Sequence, residues 1–505
     1  MAGVTRVVAA VPLALVPALG AVQGGFKPGA WVWAGALAAW AAALGVVLTN
    51  DPGALRCAWP WFVAAGALLL WTLASALWSV NTTQSILEAR RMVVYAAVVL
   101  ALVVLARAGS GRHVALATHL AISGLVLYAL ARYLIGPRHA QEFEGYLLVD
   151  PLGYANAVGI LAAMGLVIAV GIAATTPSRR GRAGAAATVP PLALALQLTG
   201  SHASWLALGA GLAAAACLEP VPLRLLRTIA ALAPPAALLV WLGHHTGLGN
   251  AATSPSRQTG VLVALAAAGS AGAAAIAAGS LRATQAAGWR PGGRRLPLVV
   301  AACVLVLGAI AVAGLGAREP RASYYRVAWH EYANHPLLGS GAGTFGGYWD
   351  ARADLVARWG GALDAHSLYL ETLAELGPVG LILIAAFLLL PLRRVVAHRR
   401  IRYVPAAAGA YIAFLLHAGL DWDWEMPAVT VAGLACGAAV LLGERAPAKP
   451  LPRTRRAAAL AAAVALGAAA IAGARSHAEP AATTKKAPHG GALSSSVGRG
   501  VGYLP

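Results

Sequence analysis

His366 stands in DAHSLYLETLAE, two residues after Asp364 and shortly before Glu371 and Glu375. A neutral imidazole, titrating near 6.5 when unperturbed, is the usual general base for a hydroxyl nucleophile. If a helix begins near Ser367, Glu371 and Glu375 share one face and His366 marks its N-terminal edge. Earlier in the same polar stretch Arg326 lies in YYRVAW, with Arg318 and Arg321 just before it. A guanidinium offers a planar fork of donors suited to phosphate or diphosphate oxygens. The bland readings are a capping histidine and an interfacial arginine snorkelling among belt aromatics (Tyr324, Tyr325, Trp329). A histidine and an arginine suited to an anionic ligand in one polar segment weigh against both bland readings.

Other segments carry weaker signals. Gly341, Gly343 and Gly346 spell GxGxxG, but no βαβ unit surrounds them, so the dinucleotide reading fails. His335-Pro336 followed by Gly339, Gly341 and Gly343 reads as a run of tight turns holding the loop against the membrane. Asp421-Trp422-Asp423-Trp424-Glu425 could draw a divalent cation if carboxylates converged from several segments. An acidic surface turn anchored by tryptophans is the expectation, with His417 a turn earlier and no metal site. The polar break Thr199-Gly200-Ser201-His202-Ala203-Ser204 interrupts an apolar run, as the wall of a cavity would; Ser201 and His202 are its candidates. Arg90 and Arg91, at the end of another apolar run, are candidates for lipid phosphate.

The elements that must position these residues are membrane spans. The 505-residue chain is 59% hydrophobic and 11% charged, with mean hydropathy +0.70. A soluble domain carries about 25% charged residues. A net charge of +20 raises the possibility of nucleic acid, but the arginines sit in short connectors and no soluble basic domain exists to carry that function. Four scattered cysteines (57, 217, 303, 436) indicate neither a disulfide framework nor a zinc site.

A crossing needs about 20 apolar residues. Candidate spans fall near 4–20, 30–48, 60–78, 91–107, 113–136, 153–174, 224–243, 259–279 and 296–316, then 372–391, 403–419, 426–443 and 456–474. The run at 186–217 reads as two short spans or one re-entrant hairpin. The expected fold is an all-α polytopic bundle of about 13–15 spans with one long external loop containing short helices. Its parts are a 1–316 bundle, a 317–371 catalytic loop, C-terminal helices over 372–474 and a disordered 475–505 tail. The first run reads as an uncleaved span, because further spans follow at once. Alternating the spans collects most of the basic connectors on one side, which should be cytoplasmic, so the long loop faces outward and the N-terminus lies inside.

The motifs resemble the O-antigen ligase/polymerase superfamily of bacterial membrane proteins. The resemblance runs over about 75–443 and rests on Arg326 with Trp329, HPLLGSGAGTF, and His366 with Glu371, Glu375, Gly377 and Gly380. SALWSVNTTQSILEARRMVVY, PLGYANAVG and LTGSHAS fall in the expected order. It implies metal-independent transfer of a glycan, without a cofactor, from undecaprenyl diphosphate to a glycan, lipid or protein acceptor on the outer face of the cytoplasmic membrane. Arg326 would then contact the diphosphate, and His366 would act on the acceptor hydroxyl or orient it. One departure stands out: Ser201-His202 occupies the place where many relatives have Ser-Arg, and His202 replaces that arginine only when protonated. The sequence does not separate ligase from polymerase. A polytopic transporter or flippase is the alternative; Arg132, near the end of a span, is its main candidate.

Overall fold

The computed structural model describes residues 8, 10–48, 53–106, 110–141, 144–254, 256–281, 321–443 and 452–475. The predicted span at 296–316, Arg318 and the tail beyond residue 475 lie outside them. The chain is an all-α polytopic bundle, with no β-strand among the described residues. In order, its helices are α1 (Ala10–Gly20), α2 (Pro28–Leu48), α3 (Gly53–Ser75), α4 (Thr82–Val104), α5 (Ser110–Ile135) and α6 (Ala155–Thr175). Then come α7 (Arg179–Ala187), α8 (Val189–Leu198), α9 (His202–Leu218), α10 (Pro222–His245) and α11 (Arg257–Ser280). The polar segment contributes α12 (Arg321–Asn334), α13 (Phe345–Asp350) and α14 (Ala353–Trp359). Last among the described residues come α15 (Leu368–Leu389), short helical turns over Leu390–Arg394 and Val395–His398, α16 (Val404–Ala418), α17 (Pro427–Leu441) and α18 (Arg453–Arg475).

Eight of these (α2, α3, α5, α6, α10, α11, α15 and α18) are long and apolar enough to cross a membrane, which makes this a multi-pass membrane protein. Four shorter apolar helices, α1, α9, α16 and α17, fill the bundle. The charged start of α4 excludes it from a hydropathy count, yet residues 92–104 are buried on every side. It packs against α2, α3, α17 and α18, while α6, α9 and α16 form a second contact group. The ambiguous 186–217 run is two helices. Gly200 breaks them at φ +66°, and the Ser201 hydroxyl caps α9 by accepting from Ser204 N at 3.2 Å.

Side chains identify the two ends of the bundle. At one end Arg182 Nε donates to Ala278 O, Arg456 Nη2 donates to Val46 O at 2.9 Å, and His398 meets Val440 O. The other end carries α12 to α14, the turns near 150 and 420, and the Gly200 break.

The polar segment is a packed body. Tyr324, Val327, Ala328, Phe345, Trp349, Ala365 and Ala374 form a small apolar core seated on the first turns of α15. Gly339, Gly341 and Gly343 all take positive φ, which glycine adopts without strain. Their turns wrap Glu375, whose carboxylate accepts from Gly343 N at 2.7 Å and Phe345 N at 3.0 Å. This is a backbone nest filled by the protein's own carboxyl group. Helix α15 then breaks at Gly377 (φ 66°) before Pro378. The carbonyl left over at Leu376 is taken by the Trp71 indole at 3.0 Å, an answer to the demand that buried backbone be satisfied.

Candidate functional site

His366 occupies the last turn before α15 and takes φ 51°, a left-handed conformation uncommon for a residue with a Cβ. Strain of that kind persists only where neighbours over-determine it. Here Asp364 Oδ1 accepts from His366 N at 3.0 Å, and Glu371 Oε2 accepts from Ala365 N at 2.7 Å. The imidazole stacks on Tyr324 with centroids 4.5 Å apart, and its Nδ1 lies 2.8 Å from Asp364 Oδ1. Nε2 is therefore the nitrogen left for chemistry, and 20% of the side chain remains exposed for a substrate to reach. Burial pushes the imidazole pKa down, but the Asp364 carboxylate outweighs it and holds the group above its ordinary value.

One turn before Tyr324 on α12, Arg321 donates through Nη2 to Asp421 Oδ2 at 3.1 Å. Asp421 is fully buried, and also accepts from Tyr154 OH (2.6 Å), Asn156 Nδ2 (2.5 Å) and Trp422 N (2.8 Å). Burial alone would raise its carboxyl. Arg321, then His366 and His417, hold it below the ordinary value. His366 in turn feels both Asp421 and Arg321, so the three form one electrostatic neighbourhood.

Behind them runs a second chain of buried groups. Ser201 Oγ lies 2.8 Å from Ser204 Oγ, Ser204 Oγ lies 2.9 Å from His417 Nε2, and His417 Nδ1 lies 3.1 Å from Asp423 Oδ2. Burial raises the Asp423 carboxyl, and His417 offsets this only in part. The expectation of a solvated acidic turn at 421–425 is overturned, because Asp421 and Asp423 are wholly enclosed. Donors from Tyr154, Asn156 and Arg321 replace the water that Asp421 loses, and Asp423 is enclosed with the His417 imidazole beside it.

The remaining candidates are spread around this centre. Arg326 is on the exposed face of α12, bonded to its own helix at Ala322 O and Ser323 Oγ, while Tyr324, Ala328 and Glu331 line the buried face. Arg91 is buried and clasped by Glu88 and by Glu425 (2.7 Å), with Trp31 at 5.8 Å. Arg90 is half-buried, and His202 is exposed beside the buried Ser201. Glu371 and Glu375 hold the loop backbone as described. Among the described residues no group of three or more His, Cys, Asp and Glu side chains is arranged for a metal ion. Sequence reasoning missed Tyr154, Asn156 and Glu331. The first two had a signal, a polar pair opening an otherwise apolar run.

The arrangement offers a partly enclosed base, an arginine with donors to spare beyond the one given to Asp421, and a stacked, rigid loop. It can take a proton and stabilise a developing anion. In comparisons with known proteins, no family model matches the chain and no curated protein matches it.

Proposed function

We propose that the chain is a membrane glycosyltransferase of the O-antigen ligase and polymerase type. It moves a glycan from undecaprenyl diphosphate to an acceptor hydroxyl at the outer face of the bacterial cytoplasmic membrane, with the arginine-rich end of the bundle inside. The observation that carries this reading is His366, backed by Asp364 and one helical turn from Arg321 through the stacked Tyr324. The order of the motifs along the chain supports the same assignment. The diphosphate role that the resemblance gives to Arg326 passes in this reading to Arg321, on the His366 side of α12.

His366 Nε2 accepts the proton of the acceptor hydroxyl. That oxygen attacks the anomeric carbon and inverts it, and the bond to the diphosphate oxygen breaks. The electron pair leaves with undecaprenyl diphosphate, whose growing charge Arg321 stabilises. The diphosphate linkage supplies the driving force, so no nucleotide is required.

The test is transfer from purified undecaprenyl-diphosphate-linked glycan by the full chain in nanodiscs. His366→Ala is expected to lose roughly 10²–10⁴-fold, the usual contribution of a positioned base. Arg321→Ala should lose transfer more severely than Arg326→Ala, and the reverse order would return the phosphate role to Arg326. Wild-type turnover by His366→Ala would sink the mechanism. A single addition to a foreign acceptor indicates a ligase and a ladder of products a polymerase. Translocation of the donor across liposomes without any transfer product would replace this reading with the flippase.

A further inference from the structure

We infer that the connector between α15 and α16, at the end of the bundle away from His366, is a docking surface for anionic phospholipid. It stands apart from the glycosyl-transfer reading and does not rest on it. Residues 390–403 run LPLRRVVAHRRIRY, and no Asp or Glu occurs from residue 376 to residue 420. Arg393, Arg399, Arg400 and Arg402 are exposed, and Arg394 is half-buried. The exposed Arg112 of α5 joins them, because Gly111 before it packs on the Tyr403 hydroxyl. The backbone that displays these charges is braced. Pro391 packs on Gly437, and His398 Nδ1 meets Val440 O at 3.1 Å.

This connector differs from the other basic ones in how its guanidiniums are spent. Arg182 is buried and gives its donors to Thr176 O, Pro177 O and Ala278 O. Arg456 gives Nη2 to Val46 O and Val47 O. Both satisfy backbone carbonyls of neighbouring segments. Arg399, Arg400 and Arg402 make no such bond among the described residues. The same stretch also leaves apolar side chains uncovered. Ile382 and Leu389, seven residues apart on one face of α15, are 67% and 56% exposed, and Val396 in the connector is 67% exposed. Bare apolar side chains at the end of a span belong in hydrocarbon, so the arginines just beyond them stand at headgroup depth. An acidic protein, a nucleic acid or a free phosphate would match the charge and leave Leu389 and Val396 in water. A phospholipid meets both demands: its acyl chains cover the apolar side chains, and its phosphate meets the guanidinium forks. A headgroup that also carries an ammonium cancels much of that attraction, so the patch favours a lipid of net negative charge.

Native mass spectrometry of the full chain, titrated in detergent with phosphatidylglycerol or phosphatidylcholine, counts the bound lipid. Phosphatidylglycerol is expected to bind about tenfold tighter or more. Arg399→Ala/Arg400→Ala/Arg402→Ala should bring the two lipids close to parity. Arg399→Lys/Arg400→Lys/Arg402→Lys keeps the charge and should keep the preference. Arg179→Ala/Arg180→Ala removes two exposed arginines from another connector at the same end and should also leave the preference in place. Soluble glycerol phosphate should not displace the lipid. The inference is overturned if both lipids bind wild type alike, if the alanine triple keeps the preference, or if the lysine triple loses it. It is equally overturned if Arg179→Ala/Arg180→Ala loses the preference as fully, or if glycerol phosphate competes, which would make the patch a site for a free anion.

Discussion

Of the charged groups around His366, Asp364 lies against the ring and does most to raise its pKa. Asp364 faces Nδ1 and bonds the backbone of the same residue, so the ring has one available lone pair and one orientation. In the proposed reaction only the neutral imidazole works, and transfer rises as pH climbs through the raised pKa of His366. Asp364→Asn removes the charge that holds this value up, so the acidic limb of the pH–rate profile should move to lower pH. The plateau should fall at least about tenfold, because the ring also loses its orientation. A profile that keeps its acidic limb would show that Asp364 does not govern the proton. His366 drew notice in the sequence as a histidine among polar residues at the mouth of an apolar run, where a cap and a base look alike; its stacking on Tyr324 and approach to Asp364 were not readable there. The enclosure of Asp421 was not readable either. A carboxylate between two spans reads as surface, and the Tyr154 that closes over it lies 267 positions away.

The polar segment is tied down by buried acids as well as by its small apolar core. Glu331 is fully enclosed, and its Oε1 accepts from Ser340 Oγ at 2.6 Å and Thr344 Oγ1 at 2.9 Å. Burial pushes its pKa from 4.5 to about 7. A carboxyl raised in the folded state favours the protonated form, so its stabilisation is complete below about pH 4.5 and is lost as pH rises towards 7. Native-state hydrogen exchange, corrected for the intrinsic rate, should show the turns at 339–345 opening more readily over that window. Glu331→Gln should abolish the dependence, and a variant that keeps it would assign the effect elsewhere. The glycine run announced tight turns in the sequence. What it wrapped could not be read there, since Glu375 looks like one side of an ordinary amphipathic helix start.

At the scale of the whole molecule the spans were legible because twenty apolar residues have few alternatives in water. α4 was legible only from residue 91, within the span read at 91–107: its opening charges fold back onto one another and onto Glu425, so a helix of mixed character sits at the centre. The proposed orientation has a direct check in a cysteine-free background. A cysteine at the exposed Gly361 should react with an impermeant maleimide in intact cells, and one at Arg399 only after permeabilisation. The reverse pattern would invert the molecule and remove the lipid-linked donor from its side. The break at Gly377 and Pro378 does not free the two stretches of α15 from each other. Both are held by α3, whose Trp71 indole meets Leu376 O before the break and whose Trp61 indole meets Phe387 O after it, each at 3.0 Å. Loop and bundle thus meet through a bent helix braced on either side of its bend, a strut rather than a hinge.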